Sequence, residues 1–316
     1  MEYNKQIAAL AQGDSIEGFY LLRSAAGKLT AAGKPFLLMT LADRSGAIEG
    51  KIWDYPGPIG HAQEGKVVKI RGSVGEYRGT PQITVERIRL AAEGDPVDLS
   101  ALVPEAPIDR DRVMAEVEDW LGSIQDADYR ALALALLARH REDFPRIPAA
   151  KSVHHGFRGG LLMHTGSMLK IADFLAGLYP EVIDRSLLLA GTFAHDLAKS
   201  REFRLSELGL ATDYSPEGQL LGHLVMGAQE AAEAARELGT PEEKSLLLQH
   251  LILSHHGEPE FGAAVRPACA EAELLSYIDG IDSRMEICRE ALAETEEGGF
   301  SQRIFALDGR RLYRHH

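Results

Sequence analysis

The stretch that most constrains the fold is the apolar run Ser186–Lys199, which ends in the pair His195-Asp196. Leucine, alanine and phenylalanine leave it no polar stripe, and a helix apolar on nearly all sides is normally buried inside a bundle. A carboxylate at the buried end must be hydrogen-bonded or bound to a metal, because burying it alone is costly. Lys199 follows Asp196 by three residues and His195 by four, which predicts that the three side chains share one helical surface.

Histidine and aspartate recur in the other apolar segments of the second half. The set, in chain order, is His164, His195-Asp196, His223, His255-His256 and Asp279. Each alone is typical of a core residue with satisfied hydrogen bonds, but together they offer imidazole and carboxylate ligands without a thiolate. Such donors suit manganese, iron, zinc, cobalt or magnesium, and helix bundles that bind two metals project them inward from facing helices.

Length and composition favour an ordinary globular protein, and 316 residues are enough for two domains. The first residues do not resemble a signal peptide, and no apolar run reaches the ~20 residues of a membrane helix. Two cysteines, Cys269 and Cys288, exclude a disulfide scaffold and a cysteine-based zinc site. We therefore expect a cytoplasmic protein with no membrane partner, and the sequence leaves homo-oligomerisation open.

Charge is spread unevenly along the chain. The net charge is −13, with 12 basic and 11 acidic residues in residues 1–95 and 22 and 36 in the remainder. The overall balance argues against a protein that coats nucleic acid nonspecifically. A nucleic-acid surface is therefore expected in the first part or in a local groove.

Five short runs in residues 1–95 are rich in β-branched or alternating apolar residues, which predicts strands. They are Ser15–Arg23, Phe36–Ala42, Ala47–Trp53, Lys66–Arg71 and Gln82–Leu90. Five such strands in so short a segment favour a small closed barrel. The segments GKPFLLMTLADRSGAIEGKIWD and EGKVVKIRGSVGEYRGTPQITVERI resemble the OB-fold, which implies a domain that holds single-stranded nucleic acid.

Aromatic and basic residues of this barrel are the candidates for binding a strand. They are Phe36, Trp53, Tyr77, Lys34, Lys51, Arg71 and Arg78. For Phe36 and Trp53 we favour a place in the barrel core, because small barrels need large side chains inside. Tyr77 and Arg78 lie in a predicted turn and should face solvent, so they are the preferred substrate-binding residues.

Prolines in residues 96–108 predict a linker, and helical periodicity follows it. The predicted domains are 1–95, a nucleic-acid-binding barrel, and 109–316, a helical domain with its core at 151–292. The predicted helices begin at Asp109, at Ala131, and near 160, 182, 216, 241 and 270, and include single helices over about 182–199 and 216–238. The fold class is multidomain, an all-β OB-like barrel followed by an all-α bundle.

The order H, HD, H, HH, D resembles the HD-domain metal-dependent phosphohydrolases over about residues 151–290. The resemblance implies a first metal on His164, His195, Asp196 and Asp279, and a second on His223, His255 and the bridging Asp196. His256 matches a residue of members with paired histidines, and we assign it to substrate binding. Asp282 is expected either to support the site or to be an exposed helical carboxylate.

The barrel and the helical motifs together resemble the YhaM-type 3′-to-5′ exoribonucleases over nearly the whole chain. The motifs are VHHGFRGGLLMHT, GTFAHDLAK, LLGHLVMG, LILSHHGE and YIDGIDSR, with Leu197-Ala198 where such enzymes often have Ile-Gly. The resemblance implies hydrolysis of single-stranded RNA, with DNA as a second candidate. It implies two divalent cations, with manganese expected first and iron, cobalt, magnesium or zinc as alternatives.

Basic residues near the motifs are candidates for holding phosphate. Lys199 suits a phosphate clamp beside the catalytic Asp196, although a salt bridge between the two is the competing interpretation. In the segment KSVHHGFRGG, Arg158 and His155 are candidates for a second phosphate, and a tight turn serving only the backbone is an equal alternative.

Four functions stay in competition, and the exoribonuclease is the first. The second is an HD phosphohydrolase of cyclic nucleotides, cyclic dinucleotides or nucleotides, which would have no evident need of the barrel. The segment HHGEPEFG also lacks the GYP signature that would favour cyclic dinucleotides. A binding regulator with an inactive site is disfavoured by the complete ligand set. A di-iron oxygenase would use the same ligands, but Lys199 and the barrel favour phosphate chemistry. No GxxxxGK[ST] or GxSxG motif is present.

Overall fold

The computed structural model describes residues 2–30, 33–77, 79–103, 105–149, 157–205, 209, 211–293 and 295–315. The chain divides into two compact units. One comprises residues 1–105 and 205–212, and the other comprises residues 106–204 and 213–316. The division after residue 105 falls inside the segment that the sequence predicts as a linker.

The first unit is built on a closed β-barrel. Its strands are β1 (Glu2–Tyr3), β2 (Ser15–Leu29), β3 (Pro35–Asp43), β4 (Gly46–Trp53), β5 (Val67–Tyr77) and β6 (Thr80–Leu90). They pair in the order β1-β2-β3-β4-β6-β5, and β2 also pairs with β5, so β2 to β6 form the closed barrel. The predicted five-stranded barrel is thus confirmed, and β1 adds a short parallel pairing with β2.

Large apolar side chains from alternate strand positions fill the barrel. Ile16, Tyr20, Leu41, Ile70 and Ile83 are almost fully buried, as the two-residue period of strands requires. Part of the predicted linker packs as well: Leu102 and Val103, at the end of the short helix α1 (Leu99–Leu102), bury against Phe19, Leu21 and Ala42. Residues up to 103 are therefore part of the barrel unit rather than a free linker.

The second unit is mainly helical. Its helices are α2 (Arg110–Gly122), α3 (Ala127–His140), α4 (Gly160–Leu178), α5 (Arg185–Ala194), α6 (Lys199–Glu202), α7 (Pro216–Leu220), α8 (Gly222–Leu238), α9 (Glu242–Ser254) and α10 (Ala270–Ala293). Every residue from Ser186 to Ala194 is buried, which confirms that the apolar run forms the central helix. Among the described residues, no helix is both long and apolar enough to span a bilayer.

Two predicted helices are wrong in their extent. The helix predicted over 182–199 ends at Ala194, and a turn leads into α6, which begins at Lys199. The helix predicted over 216–238 is broken at Gly222, whose φ of 72° lies in the left-handed region that favours glycine. β7 (Phe203–Leu205) and β8 (Ala211–Tyr214) form a two-stranded sheet that the sequence analysis did not predict, because its strands are too short to show a periodic pattern.

Candidate metal centre

Two of the histidines stand at the C-terminal ends of helices. His195 follows α5 and His255 follows α9. Each ring donates from Nδ1 to the carbonyl oxygen three residues earlier, Thr192 O at 2.7 Å and Ile252 O at 2.8 Å. These carbonyls belong to the last helical turn, which has no intrahelical donors left to satisfy it. The bond fixes the proton on Nδ1 and leaves Nε2 as an acceptor, beside helix ends whose dipoles favour cations.

A glycine brings these two helix ends together. A Cβ at Gly191 would lie 2.2 Å from Leu251 Cδ2 and 3.2 Å from Leu251 Cβ, so the glycine lets α5 pack closely against α9 without displacing the Leu251 side chain. The ring centroids of His195 and His255 are consequently 4.9 Å apart.

Carboxylates orient the other two histidines. His164 Nδ1, in the middle of α4, donates to Asp282 Oδ2 at 2.7 Å. His223 Nδ1 donates to Glu202 Oε1 at 2.9 Å, and the same oxygen accepts the backbone N–H of His223 at 3.0 Å. For Asp282 the sequence left two roles open, and the structure shows the supporting one. The sequence analysis did not identify Glu202 as a supporting residue, because a carboxylate in the short helix α6 carries no periodic signal.

Several buried polar atoms of this pocket have no hydrogen-bond partner among the described residues. They include Nε2 of His195, His223 and His255, Oδ1 of Asp196 and Nδ1 of His256. Asp196 Oδ1 lies 3.3 Å from His223 Nε2 and 3.6 Å from His255 Nε2. Because the imidazole protons are on the outer nitrogens, acceptors here face acceptors with no proton between them. Buried acceptors left this way are costly, and bound cations would satisfy them.

The ligand atoms form two groups, His164 with His195 and Asp196, and His223 with His255 and His256. Within each group the ligand atoms lie within 4.8 Å of one another. Asp279 joins the first group through its Oδ1, 3.3 Å from His164 Nε2. The structure therefore brings together all six predicted metal ligands, and it places His256, which the sequence assigns to substrate binding, beside His223 and His255. Asp196 faces both groups, since its Oδ2 is 3.3 Å from His195 Nε2 while its Oδ1 faces the second group.

Burial keeps three of the ligands neutral. Desolvation lowers the pKa values of His223 and His255, and it lowers the pKa of His256 to about 4. Burial raises the pKa of the Asp196 carboxyl, but Lys199 and His195 more than offset this and hold it well below its usual range. At neutral pH these side chains therefore have the protonation states that metal ligands need.

His164 differs from the other histidines. Burial lowers its pKa, but the hydrogen bonds that its ring donates to Asp279 and Asp282 outweigh this and raise the pKa to about 9. Its Nε2 proton lies toward Asp279, which is itself a predicted ligand. A cation bound there would replace that proton, and His164 and Asp279 would hold it.

Lys199 contacts the centre directly. Its Nζ lies 2.6 Å from Asp196 Oδ2, and its side chain is largely buried. Burial lowers the pKa of Lys199, but the charge of Asp196 outweighs it and leaves the pKa raised, so the ammonium form persists. The salt bridge that competed with the phosphate clamp is thus present. Lys199 reaches Asp196 from the start of α6 rather than from the same helix, which corrects the predicted single helical surface.

The barrel candidates lie on its outer surface. Phe36 pairs with Trp53 across β3 and β4, and their rings are 5.1 Å apart. Trp53 is 51% exposed, and Phe36 is only half-buried on the same outer face, so the predicted core position is wrong for both residues. The neighbouring pair Leu37 and Ile52 fills the interior instead.

Tyr77 is exposed, as its predicted turn position requires, and Lys51 Nζ lies 4.9 Å from its ring centroid. Arg78 and His155 lie outside the described residues. Arg158 precedes α4, where its carbonyl oxygen accepts the N–H of Ala106 at 2.9 Å. Its backbone therefore helps to fix this segment.

Residues 161–284 match the family model of the HD domain, and residues 24–91 match that of the OB-fold nucleic acid binding domain. Similar solved structures include the second OB-fold domain of replication protein A from Methanococcus maripaludis, at 17% identity over 31% of this chain and 100% of that chain, with a TM-score of 0.23. The OB domain of Ta0387 from Thermoplasma acidophilum is another, at 14% identity over 31% of this chain and 92% of that chain, with a TM-score of 0.25.

The chain therefore consists of an OB-fold barrel followed by a helical region that matches the HD domain. The HD match indicates a metal-dependent phosphohydrolase, and HD domains bind divalent metals, which agrees with the clustered ligands. Its combination with a nucleic-acid-binding OB domain supports a nucleic-acid phosphodiesterase.

Proposed function

We propose that the chain is a metal-dependent 3′-to-5′ exonuclease that acts on single-stranded RNA, with single-stranded DNA as a secondary substrate. The observation that carries the chemistry is the set of buried imidazole and carboxylate acceptors that face one another without a proton. The observation that carries the substrate is the OB-fold nucleic acid binding match over residues 24–91.

The proposed ligands form two sets, which follow the two groups of ligand atoms described above. A first cation would be held by His164, His195, Asp196 and Asp279, and a second by His223, His255, His256 and the shared Asp196. We propose manganese first, because imidazole and carboxylate ligands without thiolate suit it. Divalent cations held there would lower the pKa of a bound water molecule and offset the negative charge of the phosphate.

Lys199 is proposed to hold the phosphodiester. An ammonium has three donors, and the bond to Asp196 Oδ2 uses one, so two N–H groups remain for nonbridging phosphate oxygens. Because the side chain is largely buried, its charge is little screened by solvent. Lys199 would thus stabilise the negative charge that develops in the transition state.

The barrel is proposed to bind the strand through its exposed aromatic residues. Trp53, whose ring is tilted by 36° against that of Phe36, and Tyr77, beside Lys51, offer ring faces and positive charge on the outer surface. Bases stack on such rings with little sequence preference, while lysine contacts the backbone. Arg78, His155 and Arg158 remain proposed phosphate contacts.

The second candidate is hydrolysis of cyclic nucleotides or nucleotides by the same pocket, and one experiment separates the two. The full chain is incubated with Mn²⁺ and a 5′-labelled single-stranded RNA, with Asp196→Ala as the inactive control. A ladder of labelled products, each one nucleotide shorter, is the expected result. Immediate release of the labelled 5′ nucleotide would show degradation from the 5′ end and contradict the proposed direction. Hydrolysis of cyclic nucleotides while the RNA stays intact would favour the second candidate.

A further inference from the structure

The end of the chain forms a hairpin that is fixed to the helical unit. We call residues 298–314 the C-terminal hairpin. Gly298 N–H donates to Arg314 O at 2.8 Å, and Ser301 N–H donates to Leu312 O at 2.8 Å. The Arg314 guanidinium donates to Thr295 O at 2.7 Å, just beyond the C-terminal end of α10. The hairpin is thus a positioned element of the fold.

This hairpin exposes aromatic rings. Phe305, at its tip, is 97% exposed, and Phe300 and Tyr313 are both about half exposed. The rings of Phe300 and Tyr313 are 5.1 Å apart, and the Arg311 guanidinium lies 5.5 Å from the Phe300 centroid. Rings held in place yet left in water are typical of a binding surface rather than of a core.

The same segment is basic within an acidic half of the chain. Residues 299–316 contain four arginines and one aspartate, whereas residues 96–316 as a whole contain 22 basic and 36 acidic residues. Arg303 is exposed, and no partner for its side chain is found in the part of the chain that the structure describes. A local positive patch of this kind attracts a polyanion.

We propose that the C-terminal hairpin is a second binding site for single-stranded RNA, separate from the barrel. Bases would stack on Phe305 and on the Phe300–Tyr313 pair, and Arg303 and Arg311 would contact phosphates. This inference rests on the proposed function. From Asp279 to Leu292, α10 rises about 20 Å along its axis, so the hairpin holds nucleotides some distance from the metal centre.

The test uses the full chain with Phe305→Ala and Arg303→Ala, alone and combined. Matched controls are Phe174→Ala, another exposed phenylalanine of the helical unit, and Arg236→Ala, another exposed arginine. The combined variant should raise the KM for single-stranded RNA by about 10- to 100-fold, because each stacked base contributes on this scale. Its kcat on RNA and its turnover of bis-p-nitrophenyl phosphate should match those of the unaltered chain.

A second readout is salt dependence. Fluorescence anisotropy with labelled RNA in EDTA should show that Arg303→Ala reduces the slope of log K against log salt by ~0.7, the value for one phosphate contact to a single strand. Unchanged RNA affinity and slope would overturn the proposal. So would a shift in sedimentation with unchanged RNA binding, since the hairpin would then be a contact between copies. If the unaltered chain hydrolyses neither substrate, the proposed function fails, and the binding arm still decides on the hairpin.

Discussion

The metal pocket and the outer surface of the barrel differ in how they hold their functional side chains. In the pocket, His195 and His223 are buried, and a partner at Nδ1 fixes each ring. On the barrel, Trp53 and Tyr77 are about half exposed, with Trp53 beside Phe36 and Tyr77 beside Lys51. A preorganised pocket suits chemistry, and exposed ring faces suit a strand that must slide past.

This difference implies different responses to substitution. Loss of Asp196, which faces both ligand groups, should disable the centre as a unit, whereas loss of a ligand from one group should remove that group's cation. Loss of one ring on the barrel removes one stacking contact and leaves the rest unchanged. The predictions below follow from this contrast.

The largest effect is expected for Asp196→Ala, which removes the carboxylate shared by both ligand groups. Turnover of RNA and of bis-p-nitrophenyl phosphate should fall by ~10⁴-fold or more, as when one member of a catalytic unit is lost. Asp111→Ala, an exposed aspartate of α2, is the control and should keep full activity. An Asp196→Ala protein that stays active would contradict the claim that the pocket depends on this shared carboxylate.

Lys199→Ala tests whether the salt bridge serves chemistry or stability. If Lys199 clamps phosphate, kcat should fall by ~10²–10³-fold while metal content and Tm stay close to those of the unaltered chain. Lys170→Ala, which removes an exposed lysine paired with Glu116, should leave kcat unchanged. A large drop in Tm at Lys199→Ala with retained kcat would show a purely structural salt bridge.

On the barrel, Tyr77→Ala and Trp53→Ala should act on binding alone. Each should weaken RNA binding by about 1–3 kcal/mol per unstacked base, seen as a raised KM with unchanged kcat. Tyr179→Ala, an equally exposed tyrosine of the helical unit, is the matched control. A lowered kcat on bis-p-nitrophenyl phosphate would contradict the separation of binding from chemistry.

The smallest effect concerns stability away from the site. Glu230 accepts hydrogen bonds from His140 at 2.7 Å and from Arg201 at 2.6 Å. Burial raises the pKa of Glu230, but these two partners outweigh it and leave the pKa lowered. The stabilisation is therefore full above the pKa of the unfolded state, about 4.3, and disappears as the pH falls through the folded value.

We expect Glu230→Gln to lower the unfolding free energy by roughly 1.5–3 kcal/mol at pH 7. The difference from the unaltered chain should shrink when urea unfolding is repeated below pH 4. Glu233→Gln, an exposed glutamate of the same helix, should change little at either pH. A difference that stays constant with pH would exclude ionised Glu230 as its source.

The sequence identified the clustered histidines and aspartates better than the residues that support them. His164, His223 and Asp279 stand out because histidine and aspartate in apolar segments need a reason to be there. Glu202 and the break at Gly222 could not be found in the same way. The position of Glu202 depends on a turn after Asp196, and the helix break at Gly222 depends on a backbone torsion angle. Neither feature appears in the hydrophobic periodicity of the sequence.

In the barrel, the sequence predicted the strands but not every face. The strand-length apolar runs are found as strands in the structure, because alternation of apolar and polar residues is a local property of the sequence. Trp53 was predicted inside because of its size, yet the register of β3 and β4 turns it outward beside Phe36. Register is set by tertiary pairing, so one residue's face can differ from what its composition favours.

The count of bound Mn²⁺ per chain tests the central claim most directly. Metal-free full chain is titrated with Mn²⁺, and bound metal is determined by elemental analysis, in parallel with His223→Ala and with His315→Ala as a control outside the ligand set. We predict two ions in the unaltered chain and in the control, and one in His223→Ala. Equal stoichiometry in all three proteins, or a single ion in the unaltered chain, would contradict a two-cation centre shared through Asp196.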